Sequence, residues 1–324
     1  MSLRRFYLRR ALRLLPLAGA LALTGAIVNV ATTPTVGGRP APQGVVSVLF
    51  HYANWMHLWH PSALGFMGHA WSLAIEEQFY LLWPPMLVLL LWAGFRRWPI
   101  LLIAVAFACA SAALRAYRWY VVSHPPRVVT ASALGRFIQA TKEFAVAEHN
   151  YYSSFMHADG LLLGCALAVL VVSFPVVQRA VPRFGAATAI VGAVGAGVVV
   201  FKAGSAGIGS FLSSWGLPVF ELGVAAATAA VVLRPRLLLG RALANPAAVW
   251  VGRRSYGVYV IHGAVFTLAS DAIHGDWVLI PTMWTITFLL AAVSFRFLET
   301  PVLRLTDRFS TRAAAPSLAG ATVG

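Results

Sequence analysis

The stretch Trp71-Ser-Leu-Ala-Ile-Glu-Glu-Gln-Phe-Tyr-Leu-Leu-Trp-Pro84 decides the fold class, because it opens an apolar run that continues to Trp92. A run of this length predicts a membrane-spanning helix. Two adjacent carboxylates, Glu76 and Glu77, lie about one turn inside it. One carboxylate at the bilayer centre costs at least roughly 2.5–3.5 kcal/mol. This side of the helix is therefore expected to face a protein interior or a water-filled cavity.

Helical spacing groups the polar and aromatic side chains of this run. Four of them share one face: Ser72, Glu76, Tyr80 and Trp83. Glu77 lies about 100° round from that face. Two interpretations stay open for each glutamate. It is either a functional group or one half of a structural ion pair with an arginine of a neighbouring helix.

The composition of the chain is that of a polytopic membrane protein. Of its 324 residues, 59% are hydrophobic and only 11% are charged, whereas a soluble domain carries about 25% charged residues. The net charge of +15 would suggest a nucleic-acid partner in a soluble protein. If the N-terminal arginines are cytoplasmic and the spans alternate, 18 of the 25 Lys and Arg residues lie inside and seven outside. That asymmetry predicts a multi-pass plasma-membrane protein with both termini in the cytoplasm and no nucleic-acid partner.

The apolar segments predict an all-α, polytopic transmembrane helical bundle. About eight spans are expected, at 14–30, 71–92, 99–120, 151–172, 184–201, 211–233, 256–270 and 278–298. The segments 31–68 and 121–150 are interpreted as loops. Residues 1–310 are expected to form the transmembrane domain. Residues 311–324, which are rich in Ala, Ser and Thr, are expected to form a disordered cytoplasmic tail.

The N-terminal segment carries five arginines before its first apolar run: Arg4, Arg5, Arg9, Arg10 and Arg13. A signal peptide, including one of the twin-arginine type, fits this pattern. A positive-inside membrane anchor fits it as well.

The cysteines and histidines give no indication of a metal site. Cys109 and Cys165 lie in apolar runs and predict buried packing rather than a disulfide framework. Four histidines lie in or beside the segment 31–68, but their spacing matches no familiar ligand pattern: His51, His57, His60 and His69. His69 lies two residues before Trp71, where it is placed to join the polar wall of the following helix.

Two further stretches put polar side chains into apolar surroundings. Asp159 lies just inside the run at 151–172 and is either functional or a helix N-cap partner. Ser255, Tyr259 and His262 share one helical face at spacing i, i+4, i+7. That face is interpreted as a cavity wall rather than as the site of a lone core histidine.

The pattern Trp-Ser-Leu-x-x-Glu-Glu-Gln-Phe-Tyr-x-Leu-Trp-Pro at 71–84 resembles the signature of the membrane-bound acyltransferase-3 family. The segments 9–16, 151–168, 251–262 and 294–304 resemble further elements of that family. His157 stands where the family has an arginine two residues before Asp159. An ion pair at this point is therefore expected to be weak or pH-dependent. The resemblance implies transfer of an acyl group, usually acetyl, from acyl-CoA to a hydroxyl of a saccharide, cell-envelope glycan or glycosylated metabolite.

The resemblance also implies a set of site residues. Guanidinium groups suit the phosphates of acyl-CoA, the expected donor, and the implied carrier-binding residues are Arg9, Arg10 and Arg13. The implied catalytic residues are Glu76, Glu77, Tyr80, His262 and Asp159. The implied substrate-binding residues are Trp71, Ser72, His69 and Tyr259. The expected partners are acyl-CoA, the hydroxyl acceptor and the lipid bilayer, with no metal.

One feature of the family has no counterpart in this sequence. Its members normally begin with two further spans, the first of which carries a histidine regarded as the catalytic base. This chain begins at what would be the loop after them. The expectation is a start site placed too late, a resident histidine (His262 or His69) acting instead, or an inactive protein.

Two other functions stay open at this point. Intramembrane carboxylates also suit a proton-coupled transporter or flippase, although no internal repeat of the kind common in transporters is evident. A catalytically inactive fragment or scaffold is the other alternative.

Overall fold

The computed structural model describes residues 3–31, 38–126, 130, 132–206, 216–270 and 276–304. Within these ranges the regular structure is helical, without β-strands, so the all-helical prediction is confirmed. The predicted disordered tail at 311–324 lies outside the described residues.

The helices follow one another with short connections. In chain order they are α1 (Leu3–Ala31), α2 (Pro42–Leu49), α3 (Ala53–Trp59), α4 (Ala70–Trp92), α5 (Arg97–Ser123), α6 (Ala133–Tyr152), α7 (Ala158–Ser173), α8 (Pro175–Ala206), α9 (Leu217–Leu233), α10 (Leu238–Leu243), α11 (Pro246–Ser270) and α12 (Asp276–Ser294). Single 3₁₀ segments occupy Pro61–Met67 and Ser154–Met156, and a π-helical turn at Phe295–Glu299 continues α12.

Four helical segments of the described chain are long and apolar enough to cross a membrane: Leu3–Ala31, Ala70–Trp92, Arg97–Ser123 and Val278–Arg304. Three shorter apolar helical segments lie between them in sequence: Ala158–Ser173, Ala189–Val200 and Leu217–Leu233. These segments identify a membrane protein. The predicted number of eight spans is not confirmed.

Both segments interpreted as loops contain helices, so that interpretation was wrong. The first holds α2, α3 and a 3₁₀ segment, and some of its side chains are fully buried: Ser47, Ala53, Asn54, Leu64 and Met67. The second holds most of α6, which begins where the Ser132 hydroxyl accepts a hydrogen bond from the Gly135 N–H at 2.9 Å. Short helices of this kind are stabilised by tertiary packing, which hydrophobic periodicity alone does not report.

The chain divides into two compact units. Unit 1 contains Met1–Met56, His60–Ala70 and Val251–Gly324, and unit 2 contains His57–Trp59 and Trp71–Trp250. In unit 1, α1 packs against α2, and the Tyr256 hydroxyl of α11 donates to the Leu14 carbonyl of α1 at 2.9 Å.

In unit 2, α5 packs against α7 around an apolar core that includes Leu101, Ala104 and Leu162. Helices α8 and α9 meet at two glycines. A Cβ atom on Gly192 would lie 2.4 Å from the Gly223 carbonyl oxygen, so no larger residue fits without displacing a backbone. The Gly/Ala-rich sequence of α8 predicts close helix packing of this kind, and the prediction is confirmed at this contact.

Candidate active site

The predicted site residues belong to both units. Six lie in unit 1: Arg9, Arg10, Arg13, His69, Tyr259 and His262. Six lie in unit 2: Trp71, Ser72, Glu76, Glu77, Tyr80 and Asp159.

Three of the unit 1 residues form one cluster, the histidine cluster of His69, Tyr259 and His262. The Tyr259 hydroxyl donates to the His69 carbonyl at 2.7 Å, and His69 Nε2 lies 3.0 Å from the Val260 carbonyl. The ring centroids of His69 and His262 are 5.0 Å apart. Helix α11 therefore brings Tyr259 and His262 onto the segment just before α4.

Backbone carbonyls set the tautomers of both histidines. His262 Nδ1 lies 2.5 Å from the Tyr259 carbonyl, so the proton is on Nδ1 and Nε2 carries a lone pair. His69 donates through Nε2, which leaves its buried Nδ1 without a partner. Burial, together with the neighbouring His262, lowers the pKa of His69 to about 4, so this ring is neutral near pH 7.

The histidine cluster is closely packed. A Cβ atom on Gly263 would lie 2.0 Å from His69 Nδ1, so the His69 ring lies directly on the α11 backbone. Trp284 of α12 lies parallel to His262, with centroids 6.4 Å apart and 4° between the planes. Ser255, expected on the same wall, is instead exposed and donates to the Gly252 carbonyl of its own helix at 3.0 Å. The polar face therefore begins at Tyr259.

The N-terminal arginines lie on the first turns of α1. Arg9 and Arg13 are exposed and Arg10 is half-buried. Glu299, in the π-helical turn, is buried and accepts a hydrogen bond from the Ser294 hydroxyl at 3.5 Å. The charges of Arg13 and Arg254 act on this carboxylate. Arg13 is therefore partly balanced within unit 1, whereas Arg9 presents its guanidinium to solvent.

In unit 2, α4 has a polar wall with three predicted catalytic residues, all half-buried: Glu76, Glu77 and Tyr80. Each of them interacts with other groups of the protein. Gln78 accepts a hydrogen bond from the Ser154 hydroxyl at 2.6 Å. Leu81 and Leu82, one turn after Glu77 and Gln78 on the same helix, are 63% and 70% exposed. Glu76, Glu77 and Tyr80 are thus partly covered by other parts of the protein.

Asp159 forms a buried ion pair that the sequence did not indicate. Its Oδ2 lies 2.5 Å from Nη2 of Arg115 on α5, and the two side chains are 4% and 1% exposed. Arg115 also donates to the Met156 carbonyl, and Asn150 Nδ2 donates to the Arg115 carbonyl at 3.2 Å. The sequence predicted a weak or pH-dependent ion pair for Asp159, because His157 stands where the family has an arginine. The structure instead pairs Asp159 with Arg115 of another helix, and an arginine is always charged. The signal that could have found Arg115 is an arginine inside an otherwise apolar helix.

Glu221 of α9 is a third ionisable group at this ion pair. A Cβ atom on Gly160 would lie 2.6 Å from Glu221 Oε1, so the carboxyl group packs directly on the first turn of α7. It interacts with the Asp159 carboxylate and with the charge of Arg115. Two acids and one guanidinium therefore meet where α5, α7 and α9 pack together.

Five rings of unit 2 form a second group, the aromatic cluster of His57, Trp71, Tyr151, Tyr152 and His157. His57 stacks on Tyr152 with centroids 3.8 Å apart. Trp71 contacts three other rings, at 4.8 Å for Tyr151, 5.1 Å for Tyr152 and 5.5 Å for His157. All five side chains are half-buried.

Burial disfavours the charged forms of the side chains in the aromatic cluster. Burial, followed by the charge of Arg115, lowers the pKa of His157 to about 4, and burial also lowers the pKa of His57. Burial raises the pKa of the Tyr151 and Tyr152 phenols. Of this cluster, only Trp71 was predicted as a site residue. Across the described residues, no group of three or more His, Cys, Asp or Glu side chains is arranged to hold a metal ion.

Residues 1–297 match the Acyltransferase domain family, and the chain belongs to that family. The class of protein defined by fold and family is thus a membrane acyltransferase. The chain is similar to peptidoglycan O-acetyltransferase OatA of Listeria monocytogenes, 29% identical over 321 residues, and to putative peptidoglycan O-acetyltransferase YrhL of Bacillus subtilis, 27% identical over 326 residues. A putative O-acetyltransferase of Staphylococcus aureus is 25% identical over 318 residues. Each match covers 93% of this chain but only 46% or 47% of the relative, about half its length. No solved structure matches the chain.

Proposed function

We propose that the chain is a membrane O-acyltransferase that moves an acetyl group from acyl-CoA to a hydroxyl group of a cell-envelope saccharide. The observation that carries this proposal is the family match over residues 1–297, together with relatives named peptidoglycan O-acetyltransferases. The donor is proposed from the arginines of α1, and the acceptor class from the names of the relatives.

The proposed reaction needs a base and an electrophile. The acceptor hydroxyl loses its proton to the base while its oxygen attacks the carbonyl carbon of the thioester. The C–S bond then breaks and the coenzyme A thiolate takes up a proton, which leaves an O-acyl ester and free coenzyme A. His262 is the preferred base, because the Tyr259 carbonyl holds its Nδ1 proton and leaves the Nε2 lone pair available.

The remaining predicted residues are assigned supporting roles. We keep Glu76, Glu77 and Tyr80 as proposed catalytic residues because of the resemblance of α4 to the family signature. Asp159 is assigned to hold Arg115 in place. The proposed substrate contacts are Trp71, Ser72, His69 and Tyr259.

The test uses the full chain, purified and placed in liposomes, with acetyl-CoA labelled in its acetyl group and soluble glycan strands of peptidoglycan. Label is expected on the glycan as an ester that mild alkali removes. Movement of glycan across the bilayer without transfer would support a transporter instead. Neither transfer nor movement would support a scaffold.

The arginines of α1 give a prediction about the donor. Replacing Arg9, Arg10 and Arg13 together with Gln is expected to raise the apparent KM for acetyl-CoA by at least about 10-fold, because charge-assisted phosphate contacts are lost. The KM for the acceptor should change little. Added salt should weaken donor binding by the wild type, since surface charges are screened over about 10 Å at 0.1 M. Steady-state kinetics measure both constants.

The control for this variant is Arg241→Gln, which removes an exposed arginine on α10. Equal donor affinity in the triple variant and the wild type, with normal membrane insertion, would refute the assignment.

Glu76 and Glu77 give a prediction that separates function from stability. Replacing each with Gln keeps its shape and removes its charge. If the pair orients reacting groups, kcat is expected to fall by about 10- to 100-fold while protein yield and melting temperature hold. If the pair is structural, the melting temperature of each variant is expected to be lower than that of the wild type. A matched control is Glu143→Gln on α6, whose carboxylate accepts from Gln139 at 3.0 Å.

We further propose that the protein crosses the plasma membrane about eight times with both termini in the cytoplasm. The arginine asymmetry supports this topology. Two reporters fused after residue 310 test it, one active only outside the membrane and one active only inside. Activity of the inner reporter is expected, and activity of the outer reporter alone would contradict the topology.

A further inference from the structure

The aromatic cluster of unit 2 has no role in the chemistry described above except through Trp71. Its rings come from α3, the first turn of α4, the end of α6 and the residue before α7, so four separate segments converge on it. Such convergence stacks flat apolar faces against one another. The same rings are only half-buried, so the protein does not enclose them completely.

Unpaired hydrogen-bond acceptors lie directly beside these rings. Asn150 precedes Tyr151 and is fully buried, and its Oδ1 has no partner. His157 binds the Asn150 backbone through one ring nitrogen, and its Nδ1 has no partner. Leaving a buried polar group unpaired costs about 1–3 kcal/mol, so an occupant that offers O–H or N–H donors is favoured at this point.

The combined chemistry selects one class of ligand. A pyranose sugar has an apolar C–H face, which packs on neutral aromatic rings, and a rim of O–H groups that serve as donors. The cluster contains no carboxylate, lysine or arginine, and Arg115, whose charge acts on His157, is already paired with Asp159. A neutral sugar therefore fits better than a phosphate or a carboxylate.

We propose that the aromatic cluster is the platform on which a sugar ring of the acceptor stacks, with its O–H or N–H donors turned toward Asn150 and His157. This inference rests on the proposed transfer to a saccharide, and it identifies the residues that would hold the sugar ring. It extends the predicted substrate contacts from Trp71 to Tyr151, Tyr152, His57 and His157.

The alternative source of such rings is an aromatic belt at the membrane–water interface, in which tyrosines and tryptophans anchor the protein among lipid headgroups. Belt residues act one by one through their position in the bilayer. The rings here contact one another at 3.8–5.5 Å and lie beside buried acceptors without partners. A belt would affect insertion and leave saccharide binding unchanged, which makes the two interpretations separable.

The experiment measures binding of chitotetraose, a neutral oligosaccharide of N-acetylglucosamine, to the full chain in lipid nanodiscs without any acyl donor. Tyr152→Leu and His57→Leu remove the two rings that stack at 3.8 Å, and each is expected to raise Kd by about 5- to 10-fold. Tyr152→Phe keeps the ring and is expected to bind like the wild type. Sorbitol, an open-chain polyol without a ring face, is expected not to bind saturably.

The matched control is Tyr117→Leu, which removes a tyrosine that is 65% exposed on α5 of the same unit. Unchanged Kd in both Leu variants, an equal loss in Tyr117→Leu, or no saturable binding by the wild type would each overturn the platform. If Tyr152→Leu does not fold, His57→Leu and Tyr152→Phe decide the matter.

The same variants separate this inference from the proposed transfer. If the wild type acetylates a saccharide and the platform variants keep its acceptor KM, the platform is wrong and the transfer stands. If chitotetraose binds as expected but no acetyl group moves, the transfer is wrong and the platform stands.

Discussion

Replacing His262 with Ala is expected to lower kcat/KM for acetyl transfer by about 10²–10⁴-fold, the usual loss when a general base is removed. The reason is the orientation of the ring. Its Nδ1 lies 2.5 Å from the Tyr259 carbonyl, so Nε2 is the nitrogen that accepts a proton. The Nδ1 atom of His69 is buried against Gly263, so we do not expect His69 to replace His262 as the base. The measurement is steady-state transfer of labelled acetyl groups to glycan by wild type and variant in equal amounts.

The control for His262→Ala is Ser255→Ala on the same helix, because Ser255 is exposed and bonds only its own helix among the described residues. This variant should keep activity within about twofold, as surface changes cost within about 0.5 kcal/mol. A folded His262→Ala protein with activity near that of the wild type would place the base elsewhere. Glu76 and Glu77 would then be the next groups to test.

Features that lie within a single helix could be predicted from the sequence. The apolar run after Trp71 predicted helix α4. Such features depend on the 3.6-residue period of an α-helix, which can be recognised directly in the order of apolar and polar residues. The pairing of Tyr259 with His69 belongs to this group only in part. Both were named, but the hydrogen bond joins residues 190 positions apart.

Contacts between side chains that are distant in sequence could not be predicted in this way. Asp159 was singled out, yet Arg115 was treated only as one more cation, because 44 positions separate them and only the packing of α5 on α7 brings them together. The aromatic cluster could not be predicted for the same reason, because its rings lie on four segments that are distant in sequence. Helices α2 and α3 were not predicted either, because these short helices are stabilised by burial rather than by a strong local sequence pattern.

The buried pair of Arg115 and Asp159 gives the largest expected effect on stability. Replacing Asp159 with Leu breaks the ion pair of a guanidinium that is 1% exposed and leaves Glu221 as the remaining acid beside it, so the cost is expected to approach the roughly 3–5 kcal/mol of breaking a buried ion pair without exceeding it. Thermal unfolding in detergent, followed by intrinsic fluorescence, should show a markedly lower midpoint. Arg115→Met should destabilise similarly, since Asp159 and Glu221 then remain together without a cation.

The matched rescue replaces all three groups, as Arg115→Met, Asp159→Leu and Glu221→Gln in one chain. Because no uncompensated charge is then buried, this variant is expected to unfold within about 1–2 kcal/mol of the wild type. Single variants as stable as the wild type would contradict the structural role of the pair. The rescued chain also decides what Asp159 does for activity. A stable and active triple variant makes the pair a structural element only, because packing alone then suffices. A stable and inactive one assigns at least one of the three groups to a role in the reaction beyond packing, and restoring Asp159 alone to that chain tests whether it is the carboxylate that is needed.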